Sequence, residues 1–134
     1  MKRTEWADAW YEQALHDLEA ARVMHEKGFW DSCAFICSQA AEKAVKAVWV
    51  SVKTPMPPKV HSVGGLAQEL GAPESVVSAL NDMFGDYTAS RYPALRSAAP
   101  FKMYDREDAE DRLAKAESVL RWAGAQWEET DGDG

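Results

Sequence analysis

The sequence predicts an all-α protein, an up-and-down four-helix bundle with one extra short helix. Apolar residues recur every three to four positions along four long segments, which is the spacing of one helix face. No segment alternates apolar and polar residues as a half-buried strand does. Gly28, the run TPMPP at 54–58 and Pro73 separate the helical segments, because such residues end or begin helices.

Length and composition fit one globular domain. The chain has 134 residues, of which 46% are hydrophobic and 28% are charged. We expect the bundle to occupy residues 1–127 and the acidic residues 128–134 to form a frayed tail. The sequence has no run of about 18 apolar residues, and its first ten residues lack an apolar signal core. We therefore expect a cytoplasmic protein that does not enter a membrane.

The first helix is predicted over 4–27, with Gly28 as the residue that ends it. At the helical period its apolar side chains fall on one arc, formed by Trp6, Trp10, Ala14, Leu18, Ala21 and Met24. Asp17 falls inside this arc. Because an unpaired buried carboxylate is unfavourable, we expect Asp17 to form an ion pair with Lys43 or Arg91.

The second helix, predicted over 29–53, is apolar around most of its circumference, as a central helix with several neighbours would be. Cys33 and Cys37 lie one turn apart on this surface, and we interpret them as buried small hydrophobic residues. Their spacing does not predict a metal site. One narrow, more polar stripe remains, and it consists of Gln39, Lys43, Lys46, Val50 and Lys53.

Three further helices complete the predicted bundle. Their ranges are 62–70 for a short helix, 73–90 for a longer one, and from Asp105 to Trp127 for the last, after a connector over 91–104. Ser62 is the predicted N-cap of the short helix. Asp105 caps the last helix and Asp108 occupies its third position, as in a capping box.

Positive charge is concentrated in two segments of an otherwise acidic chain. The net charge of −7 argues against non-specific binding to nucleic acid or anionic lipid. Segments 43–68 and 87–104 nevertheless contain lysines and arginines and no acidic residue. If the stripe on the second helix, His61 and the connector converge, they form a pocket of cations and aromatic rings. Such groups bind phosphate and stack bases.

Each of these residues also has a purely structural interpretation. The lysines of the stripe fit a solvated helix face, and His61 fits a helix cap or turn. Arg91 fits an ion-pair partner of Asp17 or of the last helix. Tyr87 and Tyr92 fit aromatic side chains at the edge of the core whose hydroxyls are hydrogen-bonded. The sequence contains no phosphate loop, GxGxxG, CxxC pair, HExxH or GxSxG motif that would favour an enzyme.

Four stretches carry a family resemblance. They are ALHDLEAARVM in the first helix, FICSQAAEKAVKAV in the second, HSVGGL after the proline run, and YTASRYP at the connector. In this order they resemble the HEPN domain family (higher eukaryotes and prokaryotes nucleotide-binding) over about residues 4–127. The resemblance implies a helical bundle that commonly forms a homodimer. It also implies a small prokaryotic protein that acts with a minimal nucleotidyltransferase, often as toxin and antitoxin.

The resemblance does not extend to the ribonuclease motif of the family. Ribonuclease members carry an arginine followed four to six residues later by a histidine near the end of the bundle, and this chain has no such pair. It resembles the branch with RYP, for which we expect nucleotide or nucleic-acid binding without catalysis, cofactor or metal. The ligand-binding positions that the resemblance implies are Gln39, Lys43, Lys46, His61, Tyr87, Arg91 and Tyr92.

Two alternative functions stay open from the sequence. One is a ribonuclease toxin with a displaced catalytic set formed by His61, Arg91 and Tyr87. The other is a non-catalytic interaction subunit whose basic residues dock an acidic or modified partner, in a complex that also depends on an apolar patch around Trp30 and Phe35.

Overall fold

The computed structural model describes residues 3–53, 57, 62–93 and 98–131. Within these ranges the chain is all-α, as predicted, and contains no strand. The helices are α1 (Glu5–Glu26), α2 (Trp30–Val52), α3 (Val63–Glu69), α4 (Glu74–Met83), α5 (Asp86–Ala89) and α6 (Arg106–Asp131), with a 3-10 turn over Pro100–Lys102. None of the helices in the described ranges combines the length and the hydropathy needed to cross a bilayer.

The helix ends follow local chemistry. Thr4 and Ser62 are N-caps whose hydroxyls accept hydrogen bonds from the backbone amides of Ala7 and Gly65, at 3.2 and 3.0 Å. Gly28 has a φ of +82°, the left-handed conformation that only glycine adopts readily, and it ends α1 as predicted.

The predicted capping box at the start of α6 is also present. The Asp108 amide donates to Asp105 Oδ1 over 2.8 Å, and the Asp105 amide donates to Asp108 Oδ2 over 3.0 Å. The helix that begins there continues through Asp131. The backbone of residues 128–131, predicted to belong to a frayed tail, is therefore helical.

The helix predicted over 73–90 is divided in two. The regular helix ends at Met83, and α5 resumes at Asp86 after Phe84 and Gly85. Gly85 weakens helix propensity at this point. Beyond the break Asp86 is buried, with 4% of its surface exposed. The interruption therefore coincides with the point at which a carboxylate enters the interior.

Helix α2 is central, as its apolar surface predicted. It contacts α1, α3, α4, α5, α6 and the 3-10 turn. Its interior positions are mainly alanines and valines, and α1 and α6 present further alanines. Small side chains let the helix axes approach closely. Cys33 and Cys37 are free, buried thiols, and the hydrogen bond to Cys33 and burial raise the pKa of Cys37.

Asp17 confirms the expectation of a paired carboxylate in the apolar arc of α1. Lys43 Nζ lies 2.5 Å from Asp17 Oδ2, and Gln13 Nε2 donates to Asp17 Oδ1 over 2.9 Å. Of the two predicted partners, Lys43 is the one that the structure shows. This ion pair joins α1 to α2 and leaves Arg91 for another role.

Candidate functional site

The most distinctive surface feature is an arginine that lies against three aromatic rings. Arg91 follows α5, and its amide donates to the Thr88 carbonyl over 3.1 Å, which extends the helical turn. Its guanidinium carbon lies 4.5 Å from the ring centre of Tyr87, 4.8 Å from that of Tyr92 and 4.9 Å from that of Phe35. Phe35 comes from α2. We call Phe35, Tyr87, Arg91 and Tyr92 the Arg91 cluster.

The charge of Arg91 is permanent and is not neutralised by an acidic neighbour. Its hydrogen bonds to the phenols of Tyr87 and Tyr92 raise the pKa of the guanidinium further above its ordinary value. No acidic side chain of the described ranges lies within ion-pair distance of it. Arg3, Arg22 and Arg112, by contrast, all pair with carboxylates. The cluster therefore presents an exposed cation with aromatic surfaces beside it.

A groove runs along one side of the cluster. It has a volume of about 560 Å³ and lies between α2, α3, α4 and α5. Tyr87 and Gln39 both line it, so two of the predicted ligand-binding residues share one surface. We call it the Gln39–Tyr87 groove. Its other walls include Ser38, Glu42, Val63, Leu80, Asn81 and Phe84.

A smaller cavity adjoins the groove, with which it shares Thr88 and Ala89. It has a volume of about 280 Å³ and is lined by residues of α5, the start of the connector, the 3-10 turn and α6. We call it the Tyr92–Arg112 cavity. Tyr92 lines it and also contacts Arg91, so the cavity and the cluster share a ring. The remaining lining residues are Thr88, Ala89, Pro93, Ala98, Pro100, Met103, Tyr104 and Asp108.

Two residues that line this cavity, Tyr104 and Arg112, belong to a buried polar network. Arg112 Nε donates to Asp86 Oδ2 over 2.6 Å, and the Tyr104 hydroxyl donates to Asp86 Oδ1 over 2.8 Å. Burial lowers the pKa of Arg112, but the hydrogen bond and charge of Asp86 outweigh it, and the pKa is raised. Burial and then the bond to Asp86 raise the pKa of Tyr104. The network holds α5, and with it the Arg91 cluster, against α6.

Sequence reasoning did not identify this network. Asp86 lies three residues after the buried Met83, inside the apolar face of its helix, so it carried the same signal as Asp17. Arg112 likewise follows the buried Ala109 by three residues. The acidic Asp86 and the basic Arg112 each fall on the apolar face of a helix, and this pattern could have predicted that they pair.

The lysines of the α2 stripe lie against α1 and within α2. Lys43 pairs with Asp17, as described. Lys46 Nζ lies 3.5 Å from Glu42 and 5.8 Å from the centre of the Trp10 ring. Val50, on the same stripe, is buried. Neither lysine lines the groove or the cavity.

The histidines that the structure describes are also remote from the cluster. His25 Nε2 lies 3.2 Å from Glu110 on α6, and His16 is exposed on α1. Neither lines the groove or the cavity. His61, the remaining predicted site residue, lies outside the described residues, so the displaced catalytic set that includes it stays a prediction.

The apolar patch predicted around Trp30 and Phe35 is not openly exposed. Both rings are half-buried and are covered by guanidinium groups, Trp30 by Arg106 and Phe35 by Arg91. A cation over an aromatic face is favourable and replaces solvent contact. The strongly exposed aromatic side chains are instead Trp6, Phe29, Phe84 and Phe101.

The fold and the cluster define a class: a small helical bundle that presents an arginine on aromatic rings beside two concave surfaces. The sequence matches the HEPN domain model over residues 7–127, so the chain belongs to the HEPN family. No curated protein matches it significantly.

Solved structures support the family assignment. An archaeal HEPN homologue is 30% identical with a TM-score of 0.79, and the match covers 95% of this chain and 99% of that one. A protein from Thermus thermophilus is 28% identical with a TM-score of 0.82, over 93% and 98% of the two chains. A HEPN domain protein from Thermotoga maritima is 30% identical with a TM-score of 0.69, over 88% and 96%.

Proposed function

We propose that this HEPN domain binds the phosphate of a nucleotide or of RNA through the Arg91 cluster. The observation that carries the proposal is the exposed Arg91 guanidinium, held on three rings with no carboxylate among the described residues to neutralise it. A guanidinium offers a planar set of donors that matches two phosphate oxygens. The rings of Tyr87 and Tyr92 lie beside the guanidinium and can stack a base. The cluster therefore favours a ligand that carries both an anionic group and a planar base.

The energetics favour short-range recognition over general electrostatic attraction. The net charge of −7 repels polyanions at long range. A charge-assisted hydrogen bond contributes about 1.5–3 kcal/mol and a stacked base about 1–3 kcal/mol. Because one arginine engages one or two phosphates, salt dependence should be modest. We expect affinity for single-stranded RNA to fall about threefold per phosphate contact for a fourfold rise in salt.

The site that we propose is narrower than the set implied by the family resemblance. Arg91, Tyr87, Tyr92 and Gln39 belong to it, because they form or adjoin the cluster and the groove. The lysines of the α2 stripe are engaged elsewhere. We propose no catalysis, since the sequence has no arginine–histidine pair of the ribonuclease type.

The partner in this proposal is a minimal nucleotidyltransferase, with which the protein would act in the cytoplasm of a prokaryote as a toxin–antitoxin-like pair. Family membership supports this part, and a homodimer is the proposed assembly. Co-expression with an adjacent nucleotidyltransferase, followed by affinity capture and sedimentation, tests it. Recovery of a stoichiometric complex is the expected result. A protein that sediments as a monomer and captures no nucleotidyltransferase contradicts the proposed assembly.

Calorimetric titration with ATP and with a short single-stranded RNA tests the ligand, at about 50 and about 200 mM salt. Arg91→Ala should remove binding, and Arg91→Lys should restore only part of it because an ammonium lacks the planar donor set. Arg22→Ala is the matched control, since Arg22 pairs with Glu19 and Glu117 between α1 and α6. Equal affinity of wild type and Arg91→Ala for both ligands would refute the phosphate site.

A further inference from the structure

We infer that the Tyr92–Arg112 cavity receives the base of the nucleotide whose phosphate Arg91 binds. This inference rests on the proposed function and adds the orientation of the ligand: the phosphate outside on the cluster, the base inside the cavity. The ligand class that it names is therefore a nucleotide with an accessible base, either free or at the end of a single strand.

The shape of the cavity suits a flat, uncharged group. Its volume of about 280 Å³ lies just below the range of about 300–1,000 Å³ typical of sites for drug-sized molecules. A single base with part of its sugar is of that scale. The walls are mainly apolar, with Ala89, Pro93, Pro100 and Met103 among them. Tyr92 adds an aromatic ring.

The charges of the cavity decide which end of a nucleotide can enter. Arg112 contributes one positive charge, but Asp86 Oδ2 lies 2.6 Å from its Nε and Asp111 Oδ2 lies 2.8 Å from its Nη1. Asp108 adds a further carboxylate to the lining. Asp86 therefore offsets the positive charge of Arg112, since Asp111 also pairs with Lys115, and a phosphate inside the cavity would face the carboxylate of Asp108.

Uncommitted hydrogen-bonding atoms in the cavity complement the edge of a base. Asp108 Oδ2 accepts the Asp105 amide, while Asp108 Oδ1 has no hydrogen-bond donor among the described residues. Thr88 adds a hydroxyl to the same lining. Every nucleobase carries amino or ring N–H donors or carbonyl and ring-nitrogen acceptors on its edge. A carboxylate oxygen and a hydroxyl can therefore orient a base in the cavity.

Tyr92 connects the two halves of the site. Its ring lines the cavity, and its centre lies 4.8 Å from the Arg91 guanidinium carbon. A base against Tyr92 inside the cavity therefore leaves its phosphate within reach of Arg91. The Gln39–Tyr87 groove also adjoins the cluster, through Tyr87, but it is about twice as large and suits neighbouring nucleotides of a strand.

Calorimetry with paired ligands tests this orientation. The probes are ATP, GTP, CTP and UTP, each compared with inorganic triphosphate, which carries the charge and lacks the base. Two variants fill the cavity, Ala98→Leu and Met103→Trp. Phe84→Ala changes only the groove, and Arg91→Ala removes the phosphate contact. Circular dichroism melts confirm that each variant is folded.

We expect at least one nucleotide to bind more tightly than triphosphate. Both filling variants should weaken that nucleotide about tenfold or more, as for a lost base-stacking contact, and leave triphosphate unchanged. Arg91→Ala should weaken both ligands, and Phe84→Ala neither.

Two different failures are distinguishable. If nucleotides bind in an Arg91-dependent manner but no tighter than triphosphate, or are insensitive to both filling variants, the base pocket is refuted and the phosphate site stands. If Phe84→Ala alone weakens the nucleotide, the base lies in the groove. If neither ligand depends on Arg91, the proposed function itself fails.

Discussion

Arg112 Nε lies 2.6 Å from Asp86 Oδ2, and this ion pair fastens α5 to α6. Only 6% of the Asp86 side chain and 20% of the Arg112 side chain are exposed. The pair is therefore shielded from solvent, and Tyr104 supplies a further hydrogen bond to the carboxylate. Since Tyr87 and Arg91 follow Asp86 closely in the chain, the ion pair determines where the Arg91 cluster lies.

Removal of the Asp86 carboxylate should destabilise the fold strongly. Asp86→Ala leaves the Arg112 charge and the Tyr104 hydroxyl without their buried partner, and we expect a loss of about 3–5 kcal/mol in the free energy of unfolding. Urea denaturation measures it. Asp82→Ala is the control, because Asp82 is 57% exposed and lies 3.7 Å from Lys115. Asp82→Ala should lower the free energy of unfolding by less than about 1 kcal/mol. Similar losses in both variants would contradict a structural role for the buried pair.

Tyr104 should make stability sensitive to alkaline pH. Burial and the bond to Asp86 raise the pKa of Tyr104 above its ordinary value of 10.0. The unfolded chain then loses this proton at lower pH than the folded one. The stabilisation is complete below about pH 10 and declines as pH rises beyond it.

The variant Tyr104→Phe tests this pH dependence. At pH 7 it should be less stable by about 1.5–3 kcal/mol, because a hydrogen bond to a charged group is lost. Above about pH 10 the difference from wild type should narrow, since phenylalanine has no proton to lose. Urea unfolding across pH 7–11 measures both values. A difference that stays constant over this range would count against the raised pKa.

Lys43 should contribute to stability and not to ligand binding. Its ammonium lies 2.5 Å from Asp17, whose side chain is only 13% exposed. Lys43→Ala leaves that carboxylate with Gln13 as its remaining partner, and we expect a loss of about 1–3 kcal/mol. Affinity for ATP, measured at a temperature where the variant is folded, should equal that of wild type. If Lys43→Ala instead leaves stability unchanged and lowers the affinity for ATP, Lys43 belongs to the ligand-binding site.

The substitution Gly124→Ala should lower stability when Tyr11 is present and raise it when Tyr11 is replaced by phenylalanine. A Cβ at Gly124 would lie 2.7 Å from the Tyr11 hydroxyl, which itself donates to the Leu120 carbonyl over 3.1 Å. Gly124→Ala should therefore destabilise wild type, although alanine is favoured over glycine in a helix by about 1 kcal/mol. In a Tyr11→Phe background the nearest atom would be the ring carbon at 3.5 Å, an ordinary contact.

The double-mutant cycle for this pair is measured by thermal and urea unfolding. Gly124→Ala should stabilise the Tyr11→Phe protein by up to about 1 kcal/mol, so that the two substitutions are not additive. The same effect of Gly124→Ala in both backgrounds would show that Tyr11 moves aside without cost.

Local features of the sequence were sufficient for most of the helices and for several of their ends. The apolar period, the Ser62 cap, the capping box of Asp105 and Asp108, and the glycine at position 28 all act within a few residues. The same reasoning predicted that Asp17 is paired, because a carboxylate on an apolar face requires a partner. This reasoning did not predict the helix break at Gly85. There the ion pair of Asp86 with the distant Arg112 outweighs the continuation of a regular helix.

The family, the all-α class, the central position of α2 and the need for a partner at Asp17 were determined by the sequence itself. The tertiary structure decided that Lys43 is that partner, that Arg91 lies on Phe35 of another helix, and that Asp86 meets a residue 26 positions away. The physical reason is that periodicity specifies which face of a helix is buried. Which side chains meet across two helices depends on their relative rotation and crossing, and these are decided only when all the faces pack together.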